Sequence, residues 1–432
     1  MDGRGKFARL ALMMALLYAV QGAWWPLMAV HLEDQGVSGP ERAWIFACQA
    51  IGTLMVSLGL GGLVDRVWPT QTVLSVIFAL GTAALAAVAS GAISGAGSLF
   101  ALFFVYWMIT APCYGLSNAL AFRHLDRPGA DFGKVRLWGT AGWMAVGWLV
   151  SAIMAWSGSV RDGQGAYEAF WVAAAASGIF AVYALTLPHT PPLAQRRTAE
   201  SSGPGAVREL LARPGMIVYL ITAFGVCLTT PFVFQVMPTY LEARGLPRAW
   251  TATVMTIGQW PEIAGLALLP GLIRRRGYKG TILIGLIAWF LRFATLACDP
   301  PLWVAVAGTL LHGIGIACIT IGGQIYVDQC APPSRRASAQ ALNMSVTAGL
   351  GALLGSLLAG RTIEGAGGVS SAVFLVPCLI QAVLITFFGL AYSPRVPTTD
   401  PLVAPGPVRR PSDAGKSSST VVGILAMESA DG

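Results

Sequence analysis

Apolar runs of about 20 residues recur along almost the whole chain, and this pattern most restricts what it can fold into. A helix of about 20 residues crosses a hydrocarbon core of roughly 30 Å with every backbone hydrogen bond made internally. The runs are too long for the alternating strands of a membrane barrel. Charged residues make up only 11% of the chain, against about 25% in soluble domains. The sequence therefore predicts an all-α polytopic membrane protein.

We count twelve spans, numbered here in chain order. They cover roughly residues 7–32, 42–63, 70–91, 97–122, 136–157, 168–187, 215–240, 250–273, 279–297, 301–326, 337–360 and 370–393. The longest polar connection, between spans six and seven, is rich in Pro, Ser and charge, which is typical of a linker. We therefore predict two six-helix bundles, residues 1–187 and 215–393, joined by a linker at 188–214. The tail at 394–432 lacks helical periodicity and is expected to be disordered.

The basic residues predict the orientation of the chain. Of the 28 Lys and Arg residues, 22 lie in segments that share a side with the N-terminus, and five lie on the other side. Short basic loops stay in the cytoplasm. We therefore expect a multi-pass protein of the cell (inner) membrane with both termini and the linker inside. The net charge of +8 reflects this orientation, so it does not indicate a nucleic-acid partner.

The sequence lacks the patterns of an enzyme or a metalloprotein. The seven cysteines are scattered without a C-x-x-C pair, which favours packing roles over a metal or disulfide framework. There is no Walker loop and no G-x-S-x-G elbow. We expect no catalytic residue, no metal and no cofactor.

An acid inside span eight is the strongest candidate for function. Glu262 lies three residues after Gln259, so the two side chains share a helical face, and Pro261 disturbs the turn before them. A charge at mid-bilayer costs roughly 2.5–3.5 kcal/mol, which makes a lipid-facing position unfavourable. Glu262 is therefore a candidate proton-coupling site in a polar cavity. The alternative is a structural acid bonded to a neighbouring helix.

A second constellation lies on span five. Arg136, Thr140 and Trp143 are spaced i, i+4 and i+7, which places a cation, a hydroxyl and an aromatic ring on one stripe. Such a stripe suits a planar polar ligand. In the alternative, Arg136 belongs to the positive inner boundary and Trp143 is a packing residue. The spacing alone favours the ligand site and this alternative equally.

Other polar positions in the spans carry weaker signals. Gln235 in span seven is a further candidate for contact with substrate. Arg292 in span nine lies towards the outer side, where we expect it to snorkel to the surface. Several others are candidates to line the same cavity, with a hydrogen bond between helices as the favoured alternative for each: Gln21, Asn118, His312, Gln324, Gln340 and Asn343.

The loop after span two contains Gly61, Asp65 and Arg66 in the run "GGLVDRVW". It resembles the G-x-L-x-D-R signature that major facilitator superfamily proteins carry between spans two and three. The resemblance implies a gating role for these residues, and two bundles around a cavity that opens alternately to each side. It also implies a monomer.

Several blocks narrow the resemblance to the nucleoside:proton symporter family of that superfamily. They are "VRLWGTAGW" (135–143), "TLPHTP" (186–191), "QWPE" (259–262), "RRGYKG" (275–280) with "IAWFLRFA" (287–294), and "GQIYVD" (323–328) with "RASAQALN" (336–343). The resemblance implies that the span-five stripe, Gln259 and Glu262 line a nucleoside pocket. It also shows departures, because the family's span-ten acid aligns with Ala317 and its span-seven polar pair with Pro231 and Phe234.

Three functions remain open from the sequence. The first is a proton-coupled secondary transporter of nucleosides or a similar small polar solute, acting by alternating access. The second is a major facilitator that handles another solute, such as a sugar or a drug for efflux. The third is a membrane receptor or scaffold that transports nothing.

Overall fold

The computed structural model describes residues 3–57, 68–157, 165–192, 204–332 and 335–393. Gly61, Asp65 and Arg66 of the predicted gating loop and the predicted tail lie outside these residues. Within them, ten helices are long and apolar enough to cross a membrane by length and composition. The predicted all-α architecture is therefore observed over the described residues.

The helices of the first half follow the predicted order of spans one to six. They run Gly3–Trp24 and Met28–Asp34 (span one), Gly39–Ser57 (span two), Thr70–Ala89 (span three), Ala96–Thr110 and Cys113–His124 (span four), Pro128–Ser157 (span five) and Tyr167–Ala184 (span six). Two prolines explain the interruptions, because proline lacks the amide hydrogen that a helix interior needs. Pro26 lies in the 3-10 turn that divides span one, and Pro112 immediately precedes the second helix of span four.

The second half begins with the short helix Pro204–Leu211 in the predicted linker. The spans then run Met216–Thr229, Pro231–Gln235 and Met237–Ala243 (seven), Arg248–Thr256 and Gln259–Ala297 (eight and nine), Leu302–Gly308, Leu310–Gly315 and Gly322–Cys330 (ten), Arg336–Met344 and Ala352–Gly365 (eleven) and Leu375–Ala391 (twelve). Spans ten and eleven each contain a π-helical segment, Ile316–Ile321 and Ser345–Gly351. Such wide turns are rare, and they occur often at functional sites.

Spans eight and nine form one continuous helical run interrupted by Gly277. This residue has φ 65° and ψ −179°, a conformation that glycine adopts without steric cost. The break falls at the predicted boundary between the two spans. Span two is described only as far as Ser57, so the count of twelve spans stays a prediction.

Two apolar cores hold the described residues together. The first is built almost entirely from buried residues between Leu10 and Leu187. The second draws on buried residues between Leu210 and Tyr392. This grouping agrees with two bundles, although the domain boundaries themselves stay predictions.

Small residues set the helix spacing, as expected where no hydrophobic effect drives helices together within lipid. A Cβ added to Gly142 in span five would overlap the backbone of Ala15 in span one. A Cβ on Gly52 in span two would lie 2.8 Å from the carbonyl oxygen of Trp107 in span four. These glycines therefore allow backbone contact between spans.

The two halves meet at the ends of the spans that the basic residues predict to lie outside. Arg248 of span eight donates to both carboxylate oxygens of Asp34 at the end of span one, at 2.5 and 3.2 Å. It also donates to Glu242, at 3.0 Å. The side chains of Asp34 and Arg248 are each only 10% exposed. We call Asp34, Glu242 and Arg248 the outer ion cluster, and it joins the halves on that side.

Helix contacts continue inward from the outer ion cluster. The amide of Thr253 in span eight donates to the hydroxyl of Ser151 in span five, at 3.1 Å. The indole N–H of Trp148 in span five donates to the hydroxyl of Thr256, at 3.1 Å. Spans two and eleven approach closely at Gly39 and Gly360. The outer ends of the halves are therefore closed against each other.

Candidate functional site

A cavity of about 260 Å³ lies where the two halves meet. It is bounded by spans one, two and five of the first half and spans seven and eleven of the second. Its lining residues are Gln21, Trp25, Phe46, Gln49, Ala50, Trp143, Thr230, Pro231, Phe234, Gln235, Ala352 and Ser356. None of them carries a charge. The cavity thus offers amides, hydroxyls and aromatic rings to a small, neutral, polar molecule.

Four aromatic rings form one wall of this cavity. The rings of Trp25 and Phe46 meet edge to face, with centroids 5.0 Å apart. Phe234 from the other half lies 6.1 Å from Trp25 and 6.5 Å from Trp143. Rings in such tilted contact present both faces and edges to a planar ligand.

Gln235 brings a buried amide to the cavity from span seven. Its side chain is 2% exposed, and neither its oxygen nor its nitrogen has a hydrogen-bond partner among the described residues. Pro231 starts the short helix that ends at Gln235, and the next helix begins at Met237 with Pro238. The two prolines therefore break span seven on either side of this amide.

A polar cluster in the first half adjoins the cavity. The guanidinium carbon of Arg136 lies 4.0 Å from the ring centroid of Tyr18, a cation–π contact. The hydroxyl of Tyr114 donates to the side-chain oxygen of Gln21, which itself lines the cavity. Gly139 makes room for the ring of Tyr18, because a Cβ there would lie 2.6 Å from it.

Glu262 and Gln259 follow the interruption of span eight. Helix Arg248–Thr256 ends just before them, and the next helix starts at Gln259. Gln259 is 8% exposed, and its side-chain oxygen has no partner among the described residues. Glu262 is partly buried and forms no ion pair within the described part of the chain. Arg136 of the other half is the basic group that acts on it electrostatically.

The structure groups the predicted site residues into two neighbouring sets. Trp143 and Gln235 line the cavity together. Arg136, Thr140, Gln259 and Glu262 lie outside its lining. Span five connects the two sets, because Trp143 of the first set lies on the same helix as Arg136 and Thr140 of the second.

Sequence reasoning missed several polar residues of this region, among them Tyr18 and Gln49. Tyr18 holds the guanidinium of Arg136, and Gln49 lines the cavity from span two. The spacing of Tyr18, Gln21 and Trp25, at i, i+3 and i+7, is a stripe that would have indicated the first. Gln49 is a lone amide in an apolar run and carries no comparable signal.

The expectation that Arg292 snorkels to the surface is wrong. Its side chain is 2% exposed, and its guanidinium lies 3.0 Å from the Nδ1 of His312 in span ten. It also donates to the sulfur of Met237, at 2.9 Å. Arg292 shares a face with the buried residues Trp289 and Leu296, one turn to either side, and this face packs into the bundle.

Several other polar residues form the expected bonds between helices. The hydroxyl of Tyr219 donates to Asn343, at 3.3 Å, and the amide of Gln340 donates to the backbone oxygen of Gln324, at 2.7 Å.

Ala317 is fully buried and faces Gly265 of span eight. Among the described residues, no cluster of His, Cys, Asp or Glu is arranged to hold a metal ion.

Comparison with known proteins places this chain among membrane transporters. The family model described as nucleoside H+ symporter matches residues 5–396. YegT of Escherichia coli (strain K12), named as a candidate nucleoside transporter, is 29% identical over 372 residues, covering 83% of this chain and 84% of that protein. The xanthosine permease of the same organism is 25% identical over 411 residues, covering 89% and 96%.

The fold is likewise that of a solved transporter. The crystal structure of the nucleoside transporter NupG superimposes with a TM-score of 0.77 at 22% identity, over 91% of this chain and all of that one. This likeness confirms the major facilitator fold class that the resemblance implied. Because the family model spans nearly all the described residues, the chain belongs to the nucleoside H+ symporter family.

Proposed function

We propose that this protein carries a nucleoside together with a proton across a membrane by alternating access. Family membership over residues 5–396 supports the chemistry, and the names of two relatives point to nucleosides as the substrate class. The observation that carries the proposal is Glu262. It is a partly buried carboxylate at membrane depth, without an ion pair among the described residues and under the influence of Arg136 from the opposite half.

Proton coupling follows from the setting of Glu262. An ionised carboxylate is costly in an apolar surrounding, whereas its protonated form is tolerated there. Opening to either side hydrates the group and lets the proton exchange with that side. A closed state with the carboxylate protonated and substrate bound is then the state in which the halves reorient most readily. This makes the movement of substrate dependent on the proton.

We assign the site roles as follows. Glu262 is the proton-coupling group and also contacts substrate. The other proposed substrate contacts are Arg136, Thr140, Trp143, Gln235 and Gln259. Two observations support the assignment: Trp143 and Gln235 line one cavity between the halves, and Arg136 of the first half acts electrostatically on Glu262 of the second. Gly61, Asp65 and Arg66 are proposed to act in gating, on sequence resemblance alone.

We further propose that the protein is a monomer in the inner membrane, with both termini in the cytoplasm. The bundles are residues 1–187 and 215–393, joined by the linker at 188–214. The 22-to-5 division of basic residues supports the orientation. The resemblance to the major facilitator superfamily supports the monomer.

The test is uptake of labelled uridine into proteoliposomes, with and without an inward proton gradient. The wild type is expected to accumulate uridine only with the gradient and to lose accumulation when a protonophore is added. Glu262→Gln, which cannot release a proton, should lose accumulation but keep exchange of internal for external uridine. Glu364→Gln is the matched control, because Glu364 pairs with Arg361 at an exposed helix end. Accumulation by Glu262→Gln at the wild-type level would contradict the proposal.

A further inference from the structure

Gln235 is a buried amide whose hydrogen-bonding capacity is unused by the described protein. Both polar atoms of its side chain lack a partner, and the side chain is 2% exposed. Buried amides in natural proteins are almost always bonded to protein, water or ligand. Because Gln235 is one of the residues that line the cavity, its partner is expected to come from whatever fills that cavity.

Two polar neighbours of Gln235 in the cavity lining, Thr230 and Gln21, bond elsewhere. The hydroxyl of Thr230 donates back to the carbonyl of Val226, at 3.3 Å. The side-chain oxygen of Gln21 accepts from Tyr114. The remaining wall near Gln235 includes Phe234 and Trp143, which offer flat apolar surface.

The chemistry of a carboxamide defines the complementary group. It presents one acceptor and two N–H donors in a plane, side by side. Its best partner is a planar group with an acceptor and a donor on adjacent atoms, such as the N–H and C=O of a cis-amide. The edge of a neutral heterocycle fits this description, and its ring can pack on the aromatic wall.

We propose that Gln235 pairs with the unsubstituted cis-amide edge of the substrate's heterocycle in the uncharged part of the cavity. This inference rests on the proposed nucleoside function. It adds which part of the substrate Gln235 contacts. An amidine edge, as in adenosine, also fits, because a carboxamide can turn over. Gln235 is therefore expected to select substrates by two properties: an unsubstituted amide or amidine edge, and an uncharged ring.

The experiment measures binding of three ligands to the purified full chain. Uridine has a free N3–H beside its C4 carbonyl. 3-Methyluridine carries a methyl group in place of that hydrogen. 5-Methyluridine carries a methyl group elsewhere on the ring and keeps the edge. We expect the wild type to bind uridine and 5-methyluridine comparably, and 3-methyluridine about tenfold or more weakly, because the buried amide then stays unpaired.

Gln235→Leu keeps the approximate size of the side chain and removes its hydrogen bonds. In this variant we expect the preference for uridine over 3-methyluridine to fall to less than about threefold, against about tenfold or more in the wild type. Retained binding of 3-methyluridine reports that the variant is folded. Gln49→Leu, which removes another amide of the same cavity, is expected to keep the wild-type preference.

The outcomes separate this inference from the proposed function. Wild-type protein that binds none of the three ligands would overturn both. Wild-type protein that binds uridine and 3-methyluridine equally would overturn the inference and leave nucleoside transport standing. A preference that survives in Gln235→Leu, or disappears in Gln49→Leu instead, would also overturn it. If Gln235→Leu binds nothing, the wild-type comparison of the two methylated nucleosides still decides.

Discussion

Replacing Arg248 with alanine should open the predicted outer side of the protein. Arg248 joins the two halves within the outer ion cluster, since it donates to Asp34 of the first half and to Glu242 of the second. All three hydrogen bonds are charge-assisted, and the Asp34 and Arg248 side chains are each 10% exposed. The contact to Asp34 must break when the halves separate there. The variant therefore loses the Asp34 contact only in the outward-closed state, whereas the Glu242 contact, which lies within the second half, is lost in both states.

The size of the effect follows from the burial of the pair. Removing one partner of a buried ion pair costs about 3–5 kcal/mol, because the other charge stays buried and unpaired. The outer ion cluster lies near a helix end and not at the centre of the bundle, so the lower end of that range applies. About 3 kcal/mol corresponds to roughly a hundredfold change in the ratio of closed to open molecules.

The assay is a distance measurement between spin labels at Ser90 and Ala366, two exposed positions at the predicted outer ends of spans three and eleven. The native cysteines are first replaced so that only these positions react. In Arg248→Ala the distribution should gain a longer distance that is minor in the parent protein. Uptake should slow as well, because the closed state becomes rarer.

Arg244→Ala provides the matched control. Arg244 donates to Asp299, at 2.8 Å, and to the carbonyl of Pro300, at 2.9 Å, on the same side of the protein. All three residues belong to the second half, so this variant removes an arginine without separating the halves. If Arg248→Ala leaves the distances unchanged, or if Arg244→Ala changes them equally, the outer ion cluster does not hold the halves together.

A further prediction concerns packing. Gly142→Val should lower the thermal midpoint, because the added atoms overlap the Ala15 backbone and overpacking costs about 1–3 kcal/mol. The control Gly389→Ala, with nothing within 4 Å of the added Cβ, should leave the midpoint equal or higher, and equal losses in both variants would contradict the packing argument.

The position of each helix along the chain was largely predictable, but the direction of its buried face was less so. Arg292 illustrates the difference. Its distance from the end of span nine favoured a snorkelling side chain, yet its face packs against span ten, where His312 lies. Which face of a membrane helix turns inward depends on neighbours that are distant in sequence, and an apolar run of uniform hydrophobicity does not reveal them.

The candidate site shows a similar division. The spacing of Gln259 and Glu262, and of Arg136, Thr140 and Trp143, was visible because helical periodicity places such residues on common stripes. The contact between Tyr18 and Arg136 joins spans one and five, which are separated by more than 100 residues. Gln49 and Gln235 line the same cavity only because spans two and seven, from different halves, close on each other.

The sequence by itself determined the environment, the helical class and the family of this protein. Apolar runs of spanning length leave few alternatives to helices in a bilayer, and sequence blocks in a fixed order identify relatives directly. Only the tertiary structure decided that the predicted outer ends are closed through Arg248, that Arg292 is buried, and that Arg136 and Glu262 lie outside the lining of the uncharged cavity. These features depend on contacts between spans, and such contacts are settled by how small residues let helix backbones approach, which no single span encodes.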